Sequence, residues 1–176
     1  VTYKNAPQTP YNSAKRFYEH ELVEVERIFS DTVRYVGDRV AAVAAVDLET
    51  ATKAVKLIKV TYEELPAIFD PEEALKEGAQ EIHPGGNIPA EIFAEAGDVE
   101  RGFAEADLIF EDRYTVPQVH HGAIEPHVAI ADYDVTGKLT VLSPSQNTFA
   151  HRMLLAKIFN MPFSKIRVVK TPIGRA

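Results

Sequence analysis

Hydrophobic positions along the chain follow two periods, and the switches between them mark out its elements. Ala51, Ala54, Val55 and Ile58 recur at helical spacing, with Thr52, Lys53, Lys56 and Lys59 on the other side. This pattern predicts an amphipathic helix capped by Asp47, with Glu49 in the first turn where its charge complements the helix dipole. Before it, residues 32–36 read as a strand. Gly37 and Asp38 then turn the chain into residues 39–46, a run apolar enough to be a strand buried on both faces. After the helix, residues 59–64 alternate, with Val60 and Tyr62 on one face, and Pro66 ends the run. A short helix is expected over Pro71, Glu72, Glu73, Ala74 and Leu75. Residues 1–20 mix prolines and aromatics and read as a surface loop, and residues 21–29 as imperfectly alternating extended chain.

Periodicity fades over residues 76–96, where His83, Pro84, Gly85, Gly86, Asn87 and Pro89 gather, as in a linker. The Gly-Gly pair does not make a phosphate loop, because no strand leads in and no Lys-Ser/Thr follows. Asp98 then caps a short helix bearing Val99, Phe103 and Ala106, and residues 106–115 alternate as a long strand ended by Pro117. Apolar runs at 128–131 and 139–142, separated by Asp132, Asp134 and Gly137, form a hairpin. A helix follows over 148–159, with Met153, Leu154, Ile158 and Phe159 on its apolar side. Asn160, Met161 and Pro162 stop it, and 166–169 is the last strand. The expected architecture is α+β: a small domain over 1–75, a linker over 76–96 and the first part of a second domain over 97–176.

Composition narrows the functional classes. With 45% hydrophobic residues, 176 residues can close a core. A net charge of -7 and a pI near 5.4 argue against nucleic acid or anionic membrane as partners. The only local basic excess is near the end, at Lys165, Arg167, Lys170 and Arg175. No apolar run approaches the roughly 20 residues needed to span a bilayer, and no signal-peptide pattern opens the chain, so a cytoplasmic setting is the default. The chain has no cysteine, which rules out disulfides, thiolate nucleophiles and cysteine-held clusters within it. It starts without methionine at Val1 and stops abruptly after the last strand, as a piece of a larger subunit would.

Candidate chemistry concentrates between residues 115 and 147. Ser143, Pro144, Ser145, Gln146 and Asn147 link the hairpin to the following helix, and a polar amide at such a junction is well placed to meet a ligand. Gln146 is the leading candidate; its plainer alternative is to cap the helix. His120, His121 and His127 suggest metal binding, but adjacent strand residues face opposite ways, which favours packing or turn roles. Glu125, held extended by Pro126, is read as an acceptor of backbone hydrogen bonds at a bend, its alternative being a supporting role near a bound cofactor. Glu63-Glu64 and Glu72-Glu73 read as solvated pairs.

Taken in order, several blocks resemble one family. Val33-Arg34-Tyr35-Val36-Gly37-Asp38, Val40-Ala41-Ala42-Val43-Ala44-Ala45 and Val60-Thr61-Tyr62-Glu63-Glu64-Leu65-Pro66 look like a hammerhead-type domain. This is the domain that opens the molybdenum-binding subunit of the xanthine dehydrogenase and aldehyde oxidase family. Glu125-Pro126-His127, Ser145-Gln146-Asn147 and Ile166-Arg167-Val168-Val169-Lys170 follow in the order of that subunit's molybdopterin-binding domain. The resemblance implies a molybdenum hydroxylase that places a water-derived oxygen on a carbon beside a ring nitrogen or at a carbonyl. Its metal is held by a pterin dithiolene, and iron-sulfur clusters and FAD reside in partner subunits or domains. It further implies that Gln146 donates an amide hydrogen bond beside the molybdenum. Gly174 would be what this chain keeps of a glycine-rich loop against the pterin. The family's catalytic glutamate and substrate-selecting residues have no counterpart here, so a piece without independent catalysis is expected. A xanthine or other purine-type substrate is favoured over an aldehyde or aromatic thioester. A non-catalytic assembly module that keeps the fold is the alternative.

Overall fold

The computed structural model describes residues 1–14 and 23–173. The expectations for residues 15–22, in the opening loop and the start of the extended stretch, and for Gly174 fall outside them. Two compact units emerge: one of Val1–Ala90 with Val128–Ile173, the other containing Glu91–His127.

Helices form where caps and spacing coincide. Helix α1 (Leu48–Lys56) starts at Asp47, whose side chain accepts from the Thr50 amide at 2.7 Å, and a Glu49–Lys53 pair spans one turn of it. Helix α2 (Pro71–Ala74) is capped by Asp70, with proline in the first turn where its missing N–H costs nothing. Helix α3 (Val99–Glu105), in the second unit, is capped by Asp98. Helix α4 (Thr148–Phe159) begins at Asn147 and ends at Asn160, which takes the left-handed conformation that asparagine tolerates better than most residues.

The sheet has three strands in the order β1 (Ile130–Tyr133), β2 (Leu139–Ser143), β3 (Ile166–Lys170). Strands β1 and β2 form the expected antiparallel hairpin, with Ile130 opposite Leu142 and Tyr133 opposite Leu139. Asp134 ties the turn: its Oδ1 accepts from the backbone of Thr136 and Lys138 and from the Thr136 hydroxyl. Strands β2 and β3 run parallel, Leu139 beside Ile166 and Ser143 beside Lys170, and α4 supplies the crossover that parallel neighbours require. Ile166, 2% exposed, packs with Val141, Ala150 and Ile158 in the core of this β2–α4–β3 unit. The Thr9 hydroxyl donates to the Ile158 carbonyl, and Lys157 pairs with Glu24, which holds the N-terminal segment against α4.

Four expected strands do not form. Residues 32–36, 39–46, 59–64 and 106–115 carry no ladder; among the described residues, only an isolated bridge between Thr2 and Ala41 touches them. Residues 39–46 are not buried on both faces, and Val46 is 95% exposed. An apolar run shows that a segment needs cover, but a strand exists only where a neighbouring strand shares its hydrogen bonds. Among the described residues, residues 39–46 share backbone hydrogen bonds only with Val1 beside the Thr2–Ala41 bridge, too short a contact to make a ladder, and the other three segments show no bridge. Met153 and Phe159 on α4 are also exposed, so the buried side of that helix is narrower than its sequence suggests.

Candidate cofactor-binding site

The carboxyl ends of the parallel strands are where ligands meet open α/β sheets, because chain leaves the strand there and the next helix presents its N-terminus. Here that edge is built by the turn from β2 into α4. The Ser143 carbonyl accepts from the Ser145 amide at 2.8 Å and from the Thr171 amide at 3.2 Å, which fastens the turn to the end of β3. Ser145 is 5% exposed, and its hydroxyl accepts from the Asn147 amide. The Asn147 side chain in turn accepts from the Ala150 amide at 3.0 Å.

Gln146 stands between these two anchored residues. It is exposed, and its carboxamide makes no hydrogen bond among the described residues, so two N–H donors and a carbonyl acceptor are open to a ligand. Capping falls to Asn147, not to Gln146. An asparagine directly before the first helical threonine is the ordinary N-cap signature, and that signal was available in the sequence. Ser145 was not singled out from sequence; a serine between a strand and its successor helix carries no periodic signal, and its role emerges only through burial.

The histidines do not assemble. In the second unit the His120 and His121 rings lie 6.3 Å apart edge to face, and His120 Nδ1 accepts from the Gly122 amide at 2.9 Å, as a turn-former does. Glu125 accepts no hydrogen bond among the described residues, which corrects its reading as a backbone acceptor. Among those residues no group of three or more His, Asp or Glu converges as a metal cage would. A cofactor that brings its own metal ligands needs from the protein shape and hydrogen bonds instead, and an outward carboxamide on a fixed turn fits that need.

Comparison with known proteins gives the family. Residues 82–176 match the molybdopterin cofactor-binding domain, and residues 1–66 match the a/b hammerhead domain of aldehyde oxidase and xanthine dehydrogenase. The chain belongs to the molybdenum hydroxylase family. It is 42% identical over 82% of its length to a probable xanthine dehydrogenase subunit of Bacillus subtilis, covering 19% of that protein. It is 36% identical over 84% of its length to the nicotinate dehydrogenase large molybdopterin subunit of Eubacterium barkeri, covering 35% of it. Among solved structures, the aldehyde oxidoreductase from Desulfovibrio gigas superposes with a TM-score of 0.80 at 28% identity, over 99% of this chain and 20% of that one. The family's cofactor is molybdenum-molybdopterin, and its fold is the α+β combination expected from the sequence. The chain thus spans between about a fifth and about a third of the length of these relatives. Among the described residues no helix is long and apolar enough to cross a membrane.

Proposed function

We propose that this chain forms one wall of the cofactor site of a molybdenum hydroxylase acting on a purine or a related N-heterocycle. The observation that carries this reading is the placement of Gln146: exposed, without a hydrogen-bond partner among the described residues, at the carboxyl edge of parallel strands, on a turn pinned by Ser145 and Asn147. When bound, the molybdenum cofactor would supply the two-electron oxidation that places a water-derived oxygen on a carbon next to a ring nitrogen. The chain's part is orientation. The Gln146 carboxamide donates toward the cofactor without adding a charge, and the buried Ser145 keeps its backbone from drifting. Gly174, four positions after the last residue of β3 in sequence, also contributes to cofactor binding in this reading.

In the same reading, residues 1–75 form the hammerhead-type domain, 76–96 the linker and 97–176 the start of the cofactor-binding domain. An iron-sulfur subunit and an FAD-binding subunit receive the electrons in a cytoplasmic complex. The absence of cysteine agrees with clusters held elsewhere, and the names of both relatives describe them as subunits. The N-heterocycle preference is supported by those same names, since xanthine and nicotinate both carry ring nitrogens. Turnover by the full-length protein on xanthine, nicotinate and benzaldehyde, with an artificial electron acceptor, tests the assignment. The ring-nitrogen substrates should be preferred; oxidation of benzaldehyde alone, by protein that contains molybdenum, would overturn it.

A further inference from the structure

Charge is segregated along this chain. Residues 135–176 hold seven of its 19 lysines and arginines and none of its 26 aspartates and glutamates. Four of those cations, Lys138, Arg152, Lys165 and Arg167, line a groove of about 400 Å³ beside the starts of β2 and β3 and the first turns of α4. Among the described residues no carboxylate lines it. The residues of the Gln146 turn, 143–147, are not part of its wall.

Two of the cations are held in place by backbone. Arg152 donates from Nε and Nη2 to the Phe163 carbonyl, at 3.1 and 2.6 Å, and lies 3.8 Å from the centre of the Phe163 ring. Lys165 donates to the Thr136 carbonyl at 2.8 Å. Each keeps further N–H groups free, since a guanidinium has five and an ammonium three. None of the four pairs with a carboxylate within 4.0 Å among the described residues. The carboxylate that feels Lys138 is Asp134, whose Oδ1 already accepts from three donors of its own turn. The remaining lining mixes hydroxyls with apolar surface from Leu139, Phe149 and Val168, over the buried Ile166.

We propose that this groove binds a small phosphate monoester with an apolar or ring-shaped body. Two lysines and two arginines around one concavity suit a tetrahedral dianion, which accepts from several directions at once, better than a single carboxylate. The volume lies within the usual range for small-molecule sites, and the apolar lining gives the ligand body a place to rest. The site does not depend on the molybdenum reading, because none of residues 143–147 belongs to its wall.

Calorimetric titration of the full-length protein with phenyl phosphate, inorganic phosphate and phenol tests it. Phenyl phosphate should saturate one site per chain and bind more tightly than inorganic phosphate, and phenol should not bind. A Lys138→Ala/Arg167→Ala double variant, changed at two exposed positions, should bind phenyl phosphate about tenfold more weakly or worse. A Lys56→Ala/Lys59→Ala variant, which loses the same charge outside the groove, should bind as the parent does. The proposal is overturned by non-saturable binding, by equal affinity for the two phosphates, or by equal weakening in both double variants. Molybdenum content and turnover should stay unchanged in the groove variants, so failure here leaves the cofactor reading untouched.

Discussion

Three residues in succession divide the labour of the candidate site. Ser145 is buried and fixes the backbone, Gln146 is presented outward, and Asn147 caps α4. Because the cap satisfies an amide that has no partner within the helix, Asn147→Ala should cost about 1 kcal/mol, seen as a lower urea midpoint. The same substitution should loosen the Gln146 turn. Asp134 offers a pH test at this scale. The Thr136 hydroxyl, then the Lys138 amide, favour its charged form and hold its pKa below the ordinary carboxylate value. A carboxylate depressed in the folded state contributes stability that is complete above its unfolded value and is lost as pH falls through the folded one. The difference in melting temperature between the parent and Asp134→Ala should therefore persist at neutral pH and narrow below about pH 4. A difference that grows on acidification would contradict this sign.

Among the elements, the helices were legible and several strands were not, for a physical reason. Asp47, Asp70 and Asp98 each cap the helix that follows, and a cap acts within three residues of itself. The β1–β2 hairpin was equally local, its register closed by the turn at Asp134 and Gly137. Residues 39–46 and 106–115 have the apolar content of strands, yet what would pair with them is not encoded within either segment. They lack ladders, and Phe110 is 84% exposed. At the candidate site, the position of Gln146 at a strand end could be read from the sequence, but the burial of Ser145 could not. The β2–α4–β3 unit depends most on Ile166, beneath α4. Ile166→Ala should cost about 2–5 kcal/mol through lost burial and the cavity left behind, measured as a shift in urea midpoint at unchanged slope. A cost below about 1 kcal/mol would mean the unit is not the centre of stability described here.

For the molecule as a whole, the parallel β2–α4–β3 unit presents the exposed Gln146 carboxamide at one edge of the sheet. Acidic residues are confined to the first 134 positions, and the basic remainder carries both the Gln146 turn and the four-cation groove. The central claim is that Gln146 touches the molybdenum cofactor when the full-length protein is assembled. The most direct measurement is the Mo(V) electron paramagnetic resonance spectrum of the full-length protein and its Gln146→Ala variant, at matched molybdenum content. A lost outer hydrogen bond should change the signal and lower turnover about 10- to 100-fold, with metal still bound. Superimposable spectra with unchanged turnover would contradict the account.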